Sequence, residues 1–198
     1  METMDKESML KSLATVGFNI GFGAKKHFAT FDMVEKLPGI ISILVIFIGI
    51  GQLAYPHNPY NTGISTVLIL VSILTLSMSI YNSKRYEEVG KELTGLFNEV
   101  RELYLQVKDS DKDDYAIEFR EMKRIENQFI EKSISKQIFG SDWFAHYKFF
   151  FQMQIDWIKE GKSLTFWKDY IPKSFVVFII IFFLFCWGWY YVFVRSGS

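Results

Sequence analysis

Charge is missing from two long stretches of this chain. No Asp, Glu, Lys or Arg occurs from Leu37 to Ser83, and none from Ser174 to Val194. Uncharged apolar runs of about 18 residues or more read as membrane spans, so a wholly water-soluble globule is not expected. Cysteine is nearly absent too. The single one, Cys186, lies in the second run, which excludes an internal disulfide and a Cys-based metal cluster. Histidine is limited to His27, His57 and His146. None has a carboxylate or a second His at a metal-binding spacing. There is no nucleophile elbow, and no acid or base inside the apolar runs. The expectation is a chain that is not an enzyme and carries no metal and no cofactor. Net basicity is also lacking. The segment from Lys84 to Asp169 holds 15 Lys plus Arg against 17 Asp plus Glu, so it is not a bulk nucleic-acid-binding surface. Nor does the start have the form of a secretory signal, since Glu2, Asp5 and Glu7 stand where a basic region belongs.

What is present is a set of helices. The first uncharged run is too long for one span and is broken by PHNPYNTG, Pro56 to Gly63, whose Pro, Asn and Gly residues make a turn. Span one is therefore placed at roughly Gly39 to Tyr55 and span two at roughly Ile64 to Tyr81. At ~1.5 Å per residue each reaches about 25–27 Å. Span three is Phe175 to Phe193. Trp187, Trp189, Tyr190 and Tyr191 at one end, and Trp167 and Tyr170 at the other, fit interfacial aromatic belts. Lys25, Lys26 and Lys36 precede span one, Lys84 and Arg85 follow span two, and Lys168 and Lys173 precede span three. The external turn has no basic residue, and only Arg195 follows span three. By the positive-inside rule the N-terminus and the segment from Asn82 to Lys173 are cytosolic, and the C-terminus faces out.

The fold class expected is all-α: an integral membrane protein with three transmembrane helices and a cytosolic helical bundle between spans two and three. Its divisions are a cytosolic amphipathic arm (1–36), a transmembrane hairpin (37–83), a cytosolic helical domain (84–172), a third span (173–195) and a tail (196–198). In the arm Met9, Leu13, Val16 and Ile20 recur at helical spacing. Gly17, Gly21 and Gly23, followed by Lys25 and Lys26, lack the Walker spacing and a preceding strand, so close helix packing is the plainer reading. Beyond span two, one long helix is expected to run on into the cytosol. Tyr86, Val89, Leu93, Leu96, Val100, Leu103 and Val107 form a heptad seam on it, suited either to an intersubunit coiled coil or to an intrachain core. KDSDKDD, Lys108 to Asp114, makes a solvated turn without EF-hand spacing. A helix from Asp114 to Phe139, with Gly140 as C-cap, and another from Trp143 to Glu160, capped by Ser141 or Asp142, complete the domain.

Two groups of residues are candidates for function. Ser65, Ser72 and Ser79 recur every seven residues on span two, with Thr75 about 80° away, and Ser42, Gly49 and Gln52 lie on a related face of span one. Such a stripe either packs helices or lines a pore built from several subunits. The Gln52 amide needs a partner, which pore water or a symmetry mate would supply. Lys25 and Lys26, together with Arg120, Lys123 and Arg124, are candidates for binding a phosphate-bearing ligand. The alternative is a solvated face with Glu121 and Glu126 as partners.

The layout of a basic arm, two close spans, a tight external turn and the segment YNSKRYEEVGKELTGLFNEVRELYLQV resembles the SLATT proteins, bacterial two-transmembrane effectors associated with SMODS nucleotidyltransferases and SLOG sensors. The similarity covers roughly Leu10 to Trp157, and the third span departs from the pattern. The resemblance implies a pore-forming effector of anti-phage defence in the bacterial inner membrane. Its partners would be the bilayer, further copies of itself and a nucleotide or oligonucleotide from a partner nucleotidyltransferase. Closed cyclic symmetry, a tetramer for example, is the form expected of a homo-oligomer. The rival is a non-conducting membrane anchor or adaptor that recruits a partner protein through its cytosolic helices.

Overall fold

The computed structural model describes residues 5–162, Thr165 and residues 169–190. Every regular element among them is helical. Helix α1, Lys6–Ala54, starts where the Asp5 carboxylate accepts the Ser8 amide at 2.7 Å and the Ser8 hydroxyl at 3.0 Å. It does not stop at the membrane boundary. The expected arm and span one are a single helix of 49 residues, about 74 Å long at ~1.5 Å per residue. Pro38 lies inside it. Proline lacks the amide that would bond four residues back, but only that one rung is lost.

The opposite holds after span two. Helix α2, Asn61–Ser77, tightens into a 3-10 turn, Met78–Ile80, and the chain then breaks. Tyr81 is extended, and the Asn82 side chain accepts the Arg85 amide at 3.3 Å to start a new helix, α3, Ser83–Asp109. The expected uninterrupted helix is thus two helices and a joint. Asn82 favours an N-cap over a helix interior. The Ser77 and Ser79 hydroxyls bond carbonyls three residues back, as suits a tightened last turn.

The bundle core lies between α1 and α3. Met9, Leu13, Ile20 and Ala24 of α1 are fully buried, as are Val89, Leu93 and Val100 of α3. All seven seam residues are buried within the chain, which decides for an intrachain core over a coiled coil between subunits. The glycines of α1 are contact points. A Cβ on Gly21 would stand 2.9 Å from the Phe97 and Phe149 rings, and one on Gly23 2.6 Å from Phe129.

Helix α4, Ala116–Lys132, ends seven residues short of the expected Phe139. From Ser133 the backbone finds partners on other elements: His27 for the Ile134 amide and the Tyr86 hydroxyl for the Lys136 carbonyl. Gly140, at φ 84°, leads into α5, Ser141–Gln152, rather than closing α4. It is the N-cap of α5; Ser141 is the first helical residue, so the expected Ser or Asp cap is not used. The expected helix from Trp143 to Glu160 is interrupted as well. Met153 is extended, and a short α6, Asp156–Gly161, follows. The interruption turns Trp157 and Ile158 back under α1, where Trp157 meets Gly17 and Gly161 meets Ala14.

Helix α7, Lys173–Tyr190, meets the rest of the chain through its first turns. Phe175 and Phe178 contact Trp143, and Phe178 contacts Phe139. Trp167, Lys168, Tyr191 and Arg195 lie outside the described residues, as do the side chains of Cys186, Trp189 and Tyr190. Among the described residues two helices, α1 and α2, are long and apolar enough to cross a membrane, and their apolar windows bury nothing inside the chain.

Candidate functional site

The hairpin of α1 and α2 is closed by a polar knot at its tip. The Asn61 side chain donates to the carbonyls of Tyr55 at 3.0 Å and Pro56 at 3.3 Å. The Gln52 amide donates to the Asn61 carbonyl at 2.9 Å and to the Ser65 hydroxyl at 3.1 Å. Gln52 therefore finds its partners inside the hairpin. Ser65, Ser72 and Thr75 are half-buried, with Ile64, Leu68 and Val71, on the α2 face that packs along α1. Ser42 and Ser79 are exposed, and Gly49 is half-buried with open space over its Cα. Ser42, Ser72, Thr75 and Ser79 each also bond a carbonyl of the preceding turn. Gln52, Ser65, Ser72 and Thr75 are thus turned into the hairpin, while Ser42 and Ser79 are not. Gln52→Leu should loosen the hairpin by about 0.6–2 kcal/mol, the scale of such bonds in lipid, measured as a lower unfolding midpoint in detergent with the helix content of the bundle unchanged.

A second polar cluster ties the helical bundle together near the start of the spans. His27 is 3% exposed. Its Nδ1 donates to the Gly23 carbonyl at 2.8 Å, which leaves Nε2 to accept the Ile134 amide at 3.0 Å. Thr30 donates to Gln137, whose amide returns to the Ile134 carbonyl. The strap from Ser133 to Gly140 is thereby pinned to α1 and α3. Only the neutral imidazole fits, and burial holds His27 below its ordinary value of 6.5. Above about pH 6.5 the ring is neutral both folded and unfolded, so it adds no pH dependence. Below that, the unfolded chain takes up a proton that the fold refuses, and stability falls. Burial lowers His146 as well, so both contribute. The thermal midpoint should drop between about pH 7 and pH 5, and His27→Gln should make that slope shallower.

The five basic candidates do not form one site. Lys26 pairs with Asp142 at 2.7 Å, while Lys25 lies over the Phe28 ring. On α4, Arg124 bridges Glu99 and Glu121, and Lys123 pairs with Glu126. Arg120 is exposed and has no ion pair among the described residues. Phe119, Met122 and Lys123 of α4 border Ser8 to Val16 of α1, several turns from Lys25 and Lys26. A different charged group is drawn together instead. Asp32 bonds both Lys36, at 2.6 Å, and Lys148, beside an aromatic groove between α1, α5 and α7. The i,i+4 spacing of Asp32 and Lys36 was a readable signal, but Lys148 joins them only through the fold. No cluster of three or more His, Cys, Asp or Glu able to hold a metal occurs among the described residues.

Residues 4–179 match a family model described as SMODS and SLOG-associating 2TM effector domain 6. No curated protein and no solved structure matches the chain.

Proposed function

We propose that this chain, which belongs to the SLATT family of SMODS- and SLOG-associating 2TM effectors, is a homo-oligomeric ion channel of a bacterial defence system, controlled by a nucleotide signal from a partner nucleotidyltransferase. It sits in the inner membrane with its helical bundle in the cytosol and α7 as a third span. Its role is not catalytic. The observation that carries this reading is the continuity of α1. One helix is both the centre of the cytosolic bundle and the first span. A displacement in the bundle therefore reaches the bilayer without passing through a loop, while the joint at Tyr81 and Asn82 lets α2 follow at a different angle. The stripe of Ser65, Ser72 and Thr75, folded into the hairpin, is the closed arrangement. Opening would present it to a shared axis.

The test is ion leak from liposomes carrying the purified oligomer, with and without the partner enzyme's nucleotide product. Leak that changes with nucleotide is expected, and Ser72→Leu should abolish it while the oligomer survives. Equal leak in both states would remove the nucleotide control, and no leak in either state from an intact oligomer would sink the channel reading. The second reading would then stand: a non-conducting anchor whose cytosolic helices recruit a partner protein. It is favoured by the inward-facing stripe, and it predicts that Ser72→Leu disturbs assembly instead.

A further inference from the structure

A groove of 760 Å³ opens where α1 and α7 leave the cytosolic bundle, a volume in the range of small-molecule sites. Leu37 and Ile40 form one bank, Phe175 the other, and Trp143, Tyr147 and Phe151 the floor. Tyr147 and Phe151 are more than half exposed, so the floor is uncovered. No other helix packs along α7 among the described residues, and the groove lies in the gap between the start of α7 and the start of span one. If α7 spans the membrane, as the proposed function holds, that gap is at acyl-chain depth and the groove is continuous with the bilayer.

The rim itself carries one carboxylate and one ammonium, and a second ammonium stands behind them. Asp32 and Lys36 line the groove, while the neighbouring Glu35 does not. The single Asp32 carboxylate faces two ammonium groups, Lys36 and Lys148. Lys25 lies near enough to Lys148 for the two to repel. Lys36 remains 68% exposed, on a stem long enough to reach a headgroup.

We propose that this groove seats one anionic phospholipid of the surrounding membrane, with an acyl chain on the aromatic floor and the phosphate at Lys36. Basic pockets at the cytoplasmic ends of spans suit such headgroups. A soluble nucleotide is the poorer fit, because its many polar atoms would meet an almost wholly apolar lining and lose their hydrogen bonds. The assignment rests on the reading of α7 as a third span.

The experiment uses the full chain in vesicles containing acyl-brominated lipid, which quenches tryptophan on contact. The contribution of Trp143 is isolated by comparison with Trp143→Phe, and that of Trp187, near the far end of α7, by comparison with Trp187→Phe. Brominated phosphatidylglycerol should quench Trp143 at a mole fraction about fivefold lower than brominated phosphatidylcholine, the ratio expected of one lysine near an anionic lipid surface. Lys36→Glu, at an exposed position, should erase that preference. Phe151→Ser, also exposed, should weaken quenching by both lipids. Equal quenching of Trp143 by the two lipids would overturn the proposal. So would its absence while Trp187 is still quenched, the result expected if a second copy of the chain covers the groove. Protection of Trp143 by a soluble nucleotide, with no lipid preference, would reassign the groove to that nucleotide. Loss of quenching at both tryptophans would show instead that α7 lies outside the bilayer, and the premise would fall with the proposal.

Discussion

Gly17→Val is expected to unfold the helical bundle at a temperature where the parent chain is fully folded. Gly17 lies on the face of α1 over which the Trp157 indole is laid, and a Cβ there would stand 2.9 Å from Cζ2, with the ring edge nearer still. Trp157 has little room to retreat. It is 7% exposed and packs on Phe97 and Tyr104, at centroid distances of 5.5 and 5.1 Å. Overpacking of a filled core costs about 1–3 kcal/mol and occasionally more, and a branched residue against an immobile ring belongs at the upper end. That is a large share of the ~5–15 kcal/mol that holds an ordinary domain. Two companions separate the contact from a general intolerance of helix α1. Trp157→Phe removes the ring edge that collides, so the double variant should be less damaged than the sum of the singles. Gly95→Ala, on an exposed face of α3 with open space around it, should gain about 0.5–1 kcal/mol. An unchanged unfolding midpoint for Gly17→Val would mean that α6 does not pack on α1 as described.

The second large effect is expected at the joint between α2 and α3. Replacing Ser77, Ser79, Tyr81 and Asn82 together by Ala removes the hydroxyls bonded to nearby carbonyls and the cap that starts α3. Alanine is the best helix former, so the two helices should fuse into one. Both spans would then join the bundle rigidly, and the hairpin could no longer change its opening independently of it. Coupling between sites ordinarily amounts to about 5–150-fold. On the proposed function, the nucleotide-dependent change in ion leak should shrink from that range to near unity, while the leak without nucleotide persists. Retention of full nucleotide response by the fused variant would remove the joint from the mechanism.

The spans were legible because the bilayer excludes charge, and the run from Leu37 to Ser83 records that exclusion directly. The seam on α3 was legible because burial imposes helical spacing. Spacing alone did not say what the seam packed against; α1 supplied the answer. The glycines at 17, 21 and 23 could be read as close packing, although not which rings would cover them. The two continuities came out reversed, for a local and a tertiary reason. Pro38 and Gly39 look like a boundary but cost α1 only a rung, while Asn82, which looks like part of a helix, caps one. The strap from Ser133 to Gly140 was illegible because its partners, His27, Thr30 and Tyr86, lie far away in sequence. The basic candidates failed to converge for a similar reason. Charge pattern identifies cations but not the carboxylates that the fold sets opposite them, as Glu99 stands opposite Arg124.

The burial of α1 by the last cytosolic helices also fixes when the protein can be completed. Translation delivers α1 and its hairpin first and α3 after them, so the glycine face of α1 that α5 and α6 cover waits longest. That last cover, Trp157 at Gly17 and Phe149 at Gly21, lies more than a hundred residues further along the chain than the glycines it meets. Pairings of such separation close slowly. A nascent or truncated chain can hold both spans in the bilayer and still lack the helices that complete the bundle proposed to command them. For a protein proposed to be able to depolarise its own cell, late closure means that the instrument exists only once its control has been built.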